Sequence, residues 1–171
     1  DNVFLVITIT FLNMKDLEKH YQNYDEDSRL VKDNSHRVEF ITTTHVLDDI
    51  IKENSSILEV GAATGRYSFY FLEKGHSVTA FEKVKKHVDI MESKKEKDNY
   101  TNIDIYQGDA RELSCFKDNN FDVVLCLGPI YHLPEKEDRN KVIGECMRVL
   151  KPGGIIAVAY INRYAQFVIH V

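Results

Sequence analysis

The sequence predicts a three-layer α/β domain: a doubly wound, mostly parallel sheet with helices on both faces. Three observations predict it. Strand-like and helix-like stretches alternate from Ile57 to Ile161. A Gly-rich turn follows the first of those strands and opens a helix, and an acid, Glu82, closes the next strand. The stretch Val123–Leu127 is apolar throughout, which suits a central parallel strand covered on both faces. One domain is expected, because 171 residues bury one sizeable core and not comfortably two.

Taken in order, residues 1–13 are β-branched and strand-like, and Met14 with the polar stretch after it reads as a natural start. The first 13 residues are therefore expected either to be foreign to the native reading frame or to fill a sheet edge. Residues 14–56 read as a helical N-terminal segment. Its second half, 38–51, carries Phe40, Leu47 and Ile51 at helical spacing, with Asn34 or Ser35 able to cap the start. Residues 57–171 form the main α/β unit. Ile57–Val60 is a short strand, Tyr67–Lys74 a helix closed by Gly75, and Ser77–Phe81 a second strand. Lys83–Lys97 is a helix with Val84, Val88 and Met91 on one face; its lysines, interleaved with Asp89, Glu92 and Glu96, read as a solvated face. Ile103–Gln107 is the third strand and Val123–Leu127 the fourth. Pro134 opens the next helix, with acids in its first turn and Val142, Cys146 and Val149 on its buried face. Lys151–Gly154 is a turn before a fifth strand, Ile155–Ile161.

Composition narrows the function classes. The formal net charge is -5, and phosphate backbones call for clustered Lys and Arg, so nucleic acid is not the expected partner. Cys115, Cys126 and Cys146 show no metal-ligand spacing and read as free thiols in a reducing cytoplasm. The longest apolar run, Val3–Leu12, is too short to span a bilayer and lacks the basic start of a signal peptide.

The chemistry concentrates in Glu59-Val60-Gly61-Ala62-Ala63-Thr64-Gly65. Glycines there allow a sharp turn and close approach to a ligand, and Glu82 at the next strand's end can accept hydrogen bonds from both hydroxyls of a ribose. At this point the sequence resembles the class I S-adenosylmethionine (SAM)-dependent methyltransferases, of Rossmann-like fold and small-molecule type. Their first motif is an acid followed by Gly-x-Gly-x-Gly; here Ala63 stands at the middle Gly. The resemblance continues through Gly108-Asp109-Ala110, Phe121-Asp122-Val123-Val124 and Leu150-Lys151-Pro152-Gly153-Gly154, covering Ile57 to Ile161.

The resemblance implies a methyl transfer from SAM, leaving S-adenosylhomocysteine (SAH). Glu59, Gly61, Ala63 and Gly65 would border the methionine portion. Glu82, with Lys83 beside it, would hold the ribose. Asp109 would accept from the adenine amino group, with Ala110 nearby, or serve only as a helix cap. Leu127 and Gly128 would lie near the sulfonium. Arg66 either pairs with the SAM carboxylate or faces solvent. Tyr24 and Arg29 would belong to a lid over the cofactor, or to ordinary packing. In Gly128–Leu133, His132 can serve as a general base and Tyr131 can line the acceptor pocket, and a structural loop histidine is the competing reading. The family's sheet continues with two more strands, the last antiparallel, for which residues 162–171 are too few. The chain is therefore expected to be C-terminally truncated, with an open edge through which copies could associate.

Two rivals remain. A nicotinamide oxidoreductase would prefer Gly-x-Gly-x-x-Gly, which the Gly61, Ala63, Gly65 spacing does not match. A non-catalytic SAM-binding scaffold, or a fragment, is the other.

Overall fold

The computed structural model describes residues 3–9 and 34–161, with side chains from 37 to 160. Tyr24 and Arg29 lie outside the described residues. The elements are β1 (Val3–Ile9), α1 (Asn34–Ile50), β2 (Ser56–Val60), α2 (Arg66–Glu73), β3 (Ser77–Glu82), α3 (Lys85–Lys97), β4 (Ile103–Gln107), β5 (Phe121–Cys126), α4 (Pro129–His132), α5 (Lys136–Val149) and β6 (Leu150–Ile161). The strands form one sheet in the order β1-β6-β5-β2-β3-β4, and every recorded pairing is parallel.

Parallel neighbours need crossovers, and the helices supply them on both faces. One apolar cluster joins Leu47 of α1 and Phe71 of α2 to Ile57, Val78, Val123 and Leu125 on one side of the sheet. A second joins Val142, Cys146 and Val149 of α5 to Leu58, Val60, Val124 and Ile156 on the other. Alternate residues of β2 and β5 thus serve opposite cores, the reason Ile57 and Leu58, and Val123 to Cys126, are apolar on both faces.

The boundaries differ from expectation where local chemistry intervenes. Pro134 precedes α5 instead of opening it; Glu135 is the N-cap, and the Pro134 carbonyl accepts from Arg139 Nη1 at 2.6 Å. The unforeseen four-residue α4 fills the gap after β5. In α1, Ile41 stays 57% exposed although it falls within the apolar periodicity, while Thr43 and Thr44 are buried. The Thr44 hydroxyl is satisfied by the Phe40 carbonyl at 2.8 Å, so its burial leaves no open hydrogen bond. The Lys151–Gly154 turn lies within β6 as a bulge: Phe121 pairs with Leu150, and Val123 already pairs with Ile155. Asp122 anchors it, accepting from Lys151 Nζ at 2.8 Å and from the Ser56 amide at 2.9 Å. No helix among the described residues is long and apolar enough to cross a membrane.

The sheet order places the functional region. β2 has β3 on one side and β5 on the other, so the connections leaving β2 and β5 run in opposite directions across the sheet. Crevices at the carboxyl ends of strands flanking such a switch point are where open α/β sheets bind ligands.

Candidate active site

A cavity opens at that switch point. Glu59 and Gly61 come from the end of β2, Glu82 from the end of β3, Gly108 to Ala110 from the loop after β4, and Leu127 to Pro129 and Leu133 from the loop and α4 after β5. Ala63, Arg66, Lys83, Tyr131 and His132 also line it. Gly65 is not among the lining residues. Its left-handed φ of 79° begins α2, and a Cβ there would meet Met91 Sδ and Phe69 Cε2 at 2.9 Å. It seats α2 against α3.

Several lining residues escaped the sequence reading: Glu39 of α1, Tyr67 of α2, Phe81 of β3 and His87 of α3. His87 was hidden in a lysine-rich helix, yet it is 2% exposed and its Nδ1 lies 3.7 Å from Glu82 Oε1. Glu39 sits on a helix whose pattern carried only a packing signal.

Gly61 takes a left-handed φ of 74°, as the expected sharp turn requires, and the glycines also make room for neighbouring side chains. A Cβ on Gly61 would lie 2.7 Å from the Pro129 ring, and one on Gly108 would lie 2.2 Å from Phe81 Cζ. Both positions are kept bare by protein packing. Gly128 is the contrast: its φ of -124° suits any residue, and a Cβ there would meet only the Gly61 carbonyl at 3.5 Å and the Tyr131 hydroxyl at 3.9 Å. The protein leaves that slot at the end of β5 clear.

Among the described residues, four carboxyl groups line the cavity. Glu82 is 6% exposed; Oε2 accepts from the Ala63 amide at 2.8 Å and Oε1 from the Val84 amide at 2.7 Å. These bonds fix its orientation and leave lone pairs on both oxygens, since a carboxylate offers about four acceptor sites. Asp109 is engaged on both oxygens: Oδ1 by the Arg111 amide and Nε, Oδ2 by Arg111 Nη2 at 2.7 Å and Lys83 Nζ at 3.3 Å. The Arg111 hydrogen bonds, with Lys83 behind them, hold its carboxyl well below the usual range despite partial burial. Glu59 is 3% exposed, and its Oε2 accepts a short hydrogen bond from the Ser68 hydroxyl. Burial pushes its carboxyl up to about 8, with a smaller push from Glu82, against the lowering effect of Ser68. Glu39 completes the set from α1. Lys83 is paired with Asp109, and the Arg66 guanidinium lies 5.3 Å from the centroid of the Phe40 ring. The cavity is therefore acid-rich.

A model of the Methyltransferase domain family matches residues 58–158. This chain belongs to the methyltransferase domain family. Its fold is that of the class I SAM-dependent methyltransferases. The methyltransferase domain is 29% identical over 140 residues to a demethylmenaquinone methyltransferase of Bacillus velezensis, covering 80% of this chain and 58% of that protein. The chain thus spans little more than half of that relative's length. Among solved structures, the PH0226 protein of Pyrococcus horikoshii OT3 superposes with a TM-score of 0.73 at 23% identity, covering 91% of this chain and 71% of the other. The [4+2]-cyclase SpnF superposes with a TM-score of 0.64 at 22% identity, covering 73% and 46%. At such identities the superpositions speak for the fold alone.

The residues present fit SAM. Glu82 keeps lone pairs on both oxygens for hydroxyl donors, and the described lining carries more carboxyl groups than lysines and arginines, as a ligand with two cationic centres and one carboxylate calls for.

Proposed function

We propose that this domain transfers the methyl group of SAM to a small-molecule acceptor by in-line displacement. The observation that carries the reading is Glu82, a buried carboxylate held on both oxygens by loop amides at the sheet's switch point. SAM supplies the methyl group already activated on its sulfonium. The chain's task is to bind, to orient and to exclude water. Glu82 receives the ribose, with the Lys83–Asp109 pair beside it. Asp109 and Ala110 border the adenine; since both Asp109 oxygens are already engaged, the base amino group must share them with Arg111. Glu59, Gly61, Ala63 and Arg66 border the methionine portion, Gly65 contributes by seating α2, and Leu127 and Gly128 approach the sulfonium.

Tyr131 and His132, with ring centroids 4.6 Å apart, form the acceptor end. His132 takes the acceptor's proton where attack requires its loss. A small-molecule acceptor is supported by the chain's acidic balance and by the demethylmenaquinone methyltransferase among its relatives. The free thiols at Cys115, Cys126 and Cys146 support a reducing cytoplasmic setting.

The second reading is a SAM-binding domain that does not transfer methyl groups; a [4+2]-cyclase shares the fold, so the fold alone does not separate the two. Calorimetric SAM binding beside a methyl-transfer assay on a panel of phenols, quinols and amines separates the two. Transfer to a panel member, lost in His132→Ala with SAM affinity retained, is expected. Tight SAM binding with no product from the full-length protein would favour the second reading.

A further inference from the structure

Glu59 has no evident structural need to be an acid. It lies on a central strand between two apolar residues, Leu58 and Val60, each 0% exposed, and its own side chain faces the cavity at 3% exposure. A buried carboxylate requires a cation or several donors to remain charged. The donors recorded for it both belong to Ser68, its hydroxyl and its backbone amide, and neither carries a charge. A second carboxylate, Glu82, lines the same cavity and raises the cost of a charge on Glu59.

Among the described residues, the other titratable and charged groups facing the cavity are Glu39 of α1, Arg66 and Tyr67 of α2, His87 of α3, Tyr131 and His132 of α4, and Lys83 and Asp109 from the loops after β3 and β4. Lys83 is tied to Asp109, His87 lies against Glu82, and Arg66 lies over Phe40. The recorded contacts of these cations all lead to groups other than Glu59.

We propose that Glu59 is a neutral carboxylic acid until a cationic ligand binds, and that the positive centre of SAM settles against it and expels its proton to solvent, one proton per SAM bound. This rests on the reading of the cavity as a SAM site. The balance is simple: the Glu59 carboxyl loses a proton to buffer, and the carboxylate formed is compensated by the ligand's cation. The raised titration of Glu59 agrees with this order of events. Affinity for SAM should then rise by up to about tenfold per pH unit on going up towards neutrality, until Glu59 is ionised without ligand.

The test is SAM and SAH titration by calorimetry at about pH 6.5, where the ligands' own amino groups stay protonated. Phosphate and Tris buffers, which differ in ionisation enthalpy, report the protons released. Close to one proton released per ligand by the wild-type chain, and close to none by Glu59→Gln, is expected. Release with both ligands puts the ammonium against Glu59, and release with SAM alone puts the sulfonium there; either supports the proposal. SAM binding with equal heats in both buffers would overturn it and leave the SAM-site reading standing. No binding of SAM would overturn both. Difference infrared spectroscopy of the wild-type chain needs no variant: the carbonyl stretch of a protonated carboxyl must disappear on SAM addition, and its persistence would contradict the proposal.

Discussion

Ala63 carries a left-handed backbone, φ 49°, at the position where the family motif has glycine. Its amide is nonetheless the donor that orients Glu82. An L-residue in this region costs about 1–2 kcal/mol, partly offset by the entropy glycine would lose on folding. Ala63→Gly is expected to stabilise the fold by about 1 kcal/mol in urea unfolding and to leave the Glu82 contact intact. Glu59 gives the residue scale its pH signature. Its folded-state carboxyl titrates above its unfolded value, so the folded protein holds a proton that the unfolded chain has lost between about pH 4.5 and 8. Stability must therefore fall as pH rises through that window and level off above it. Glu59→Gln, with nothing to ionise, should flatten this slope in thermal melts; an unchanged slope would show that another group is responsible.

The element of most functional consequence is α4. It buries no residue of its own, so its position is set from outside. Pro129 packs into the space a Gly61 side chain would fill, and Arg139 of α5 donates to the Leu133 carbonyl at 2.7 Å and to that of Pro134. Arg139→Met should leave the global unfolding free energy within about 1 kcal/mol, the range of a surface hydrogen bond, while hydrogen exchange at residues 131–135 accelerates. Unchanged exchange there would mean the proline contact suffices. These contacts also mark where sequence reading stopped. The strands were legible because period-2 and all-apolar runs survive in any context. The fourth strand was placed correctly, but the helix after it was not, because a four-residue turn with no buried side chain leaves no periodicity to read. The glycines were legible as turn positions, but their packing role was not: that Pro129 and Phe81 fill the missing Cβ volumes is a fact of packing between segments far apart in sequence.

At the scale of the whole molecule, the parallel order of the described strands gathers two strand ends and two loops into one acid-rich cavity. Of the residues singled out from sequence, those at strand ends converge there, because a parallel sheet sends every carboxyl end to the same side. Glu39 and His87 join them from helices, where a polar residue on a packed face carries no functional mark of its own. β1 lies parallel to β6 at one edge, from Val3 beside Ile155 to Ile9 beside Ile161, and β4 lies at the other. The claim that the cavity is a SAM site is tested most directly by calorimetric titration with SAM and NAD, on the wild-type chain and on Glu82→Gln. The account predicts one SAM per chain, no heat from NAD, and SAM affinity weakened at least about tenfold by the substitution, since a charge-assisted hydrogen-bond acceptor is lost. Binding of NAD alone, or a SAM affinity that Glu82→Gln leaves unchanged, would contradict it.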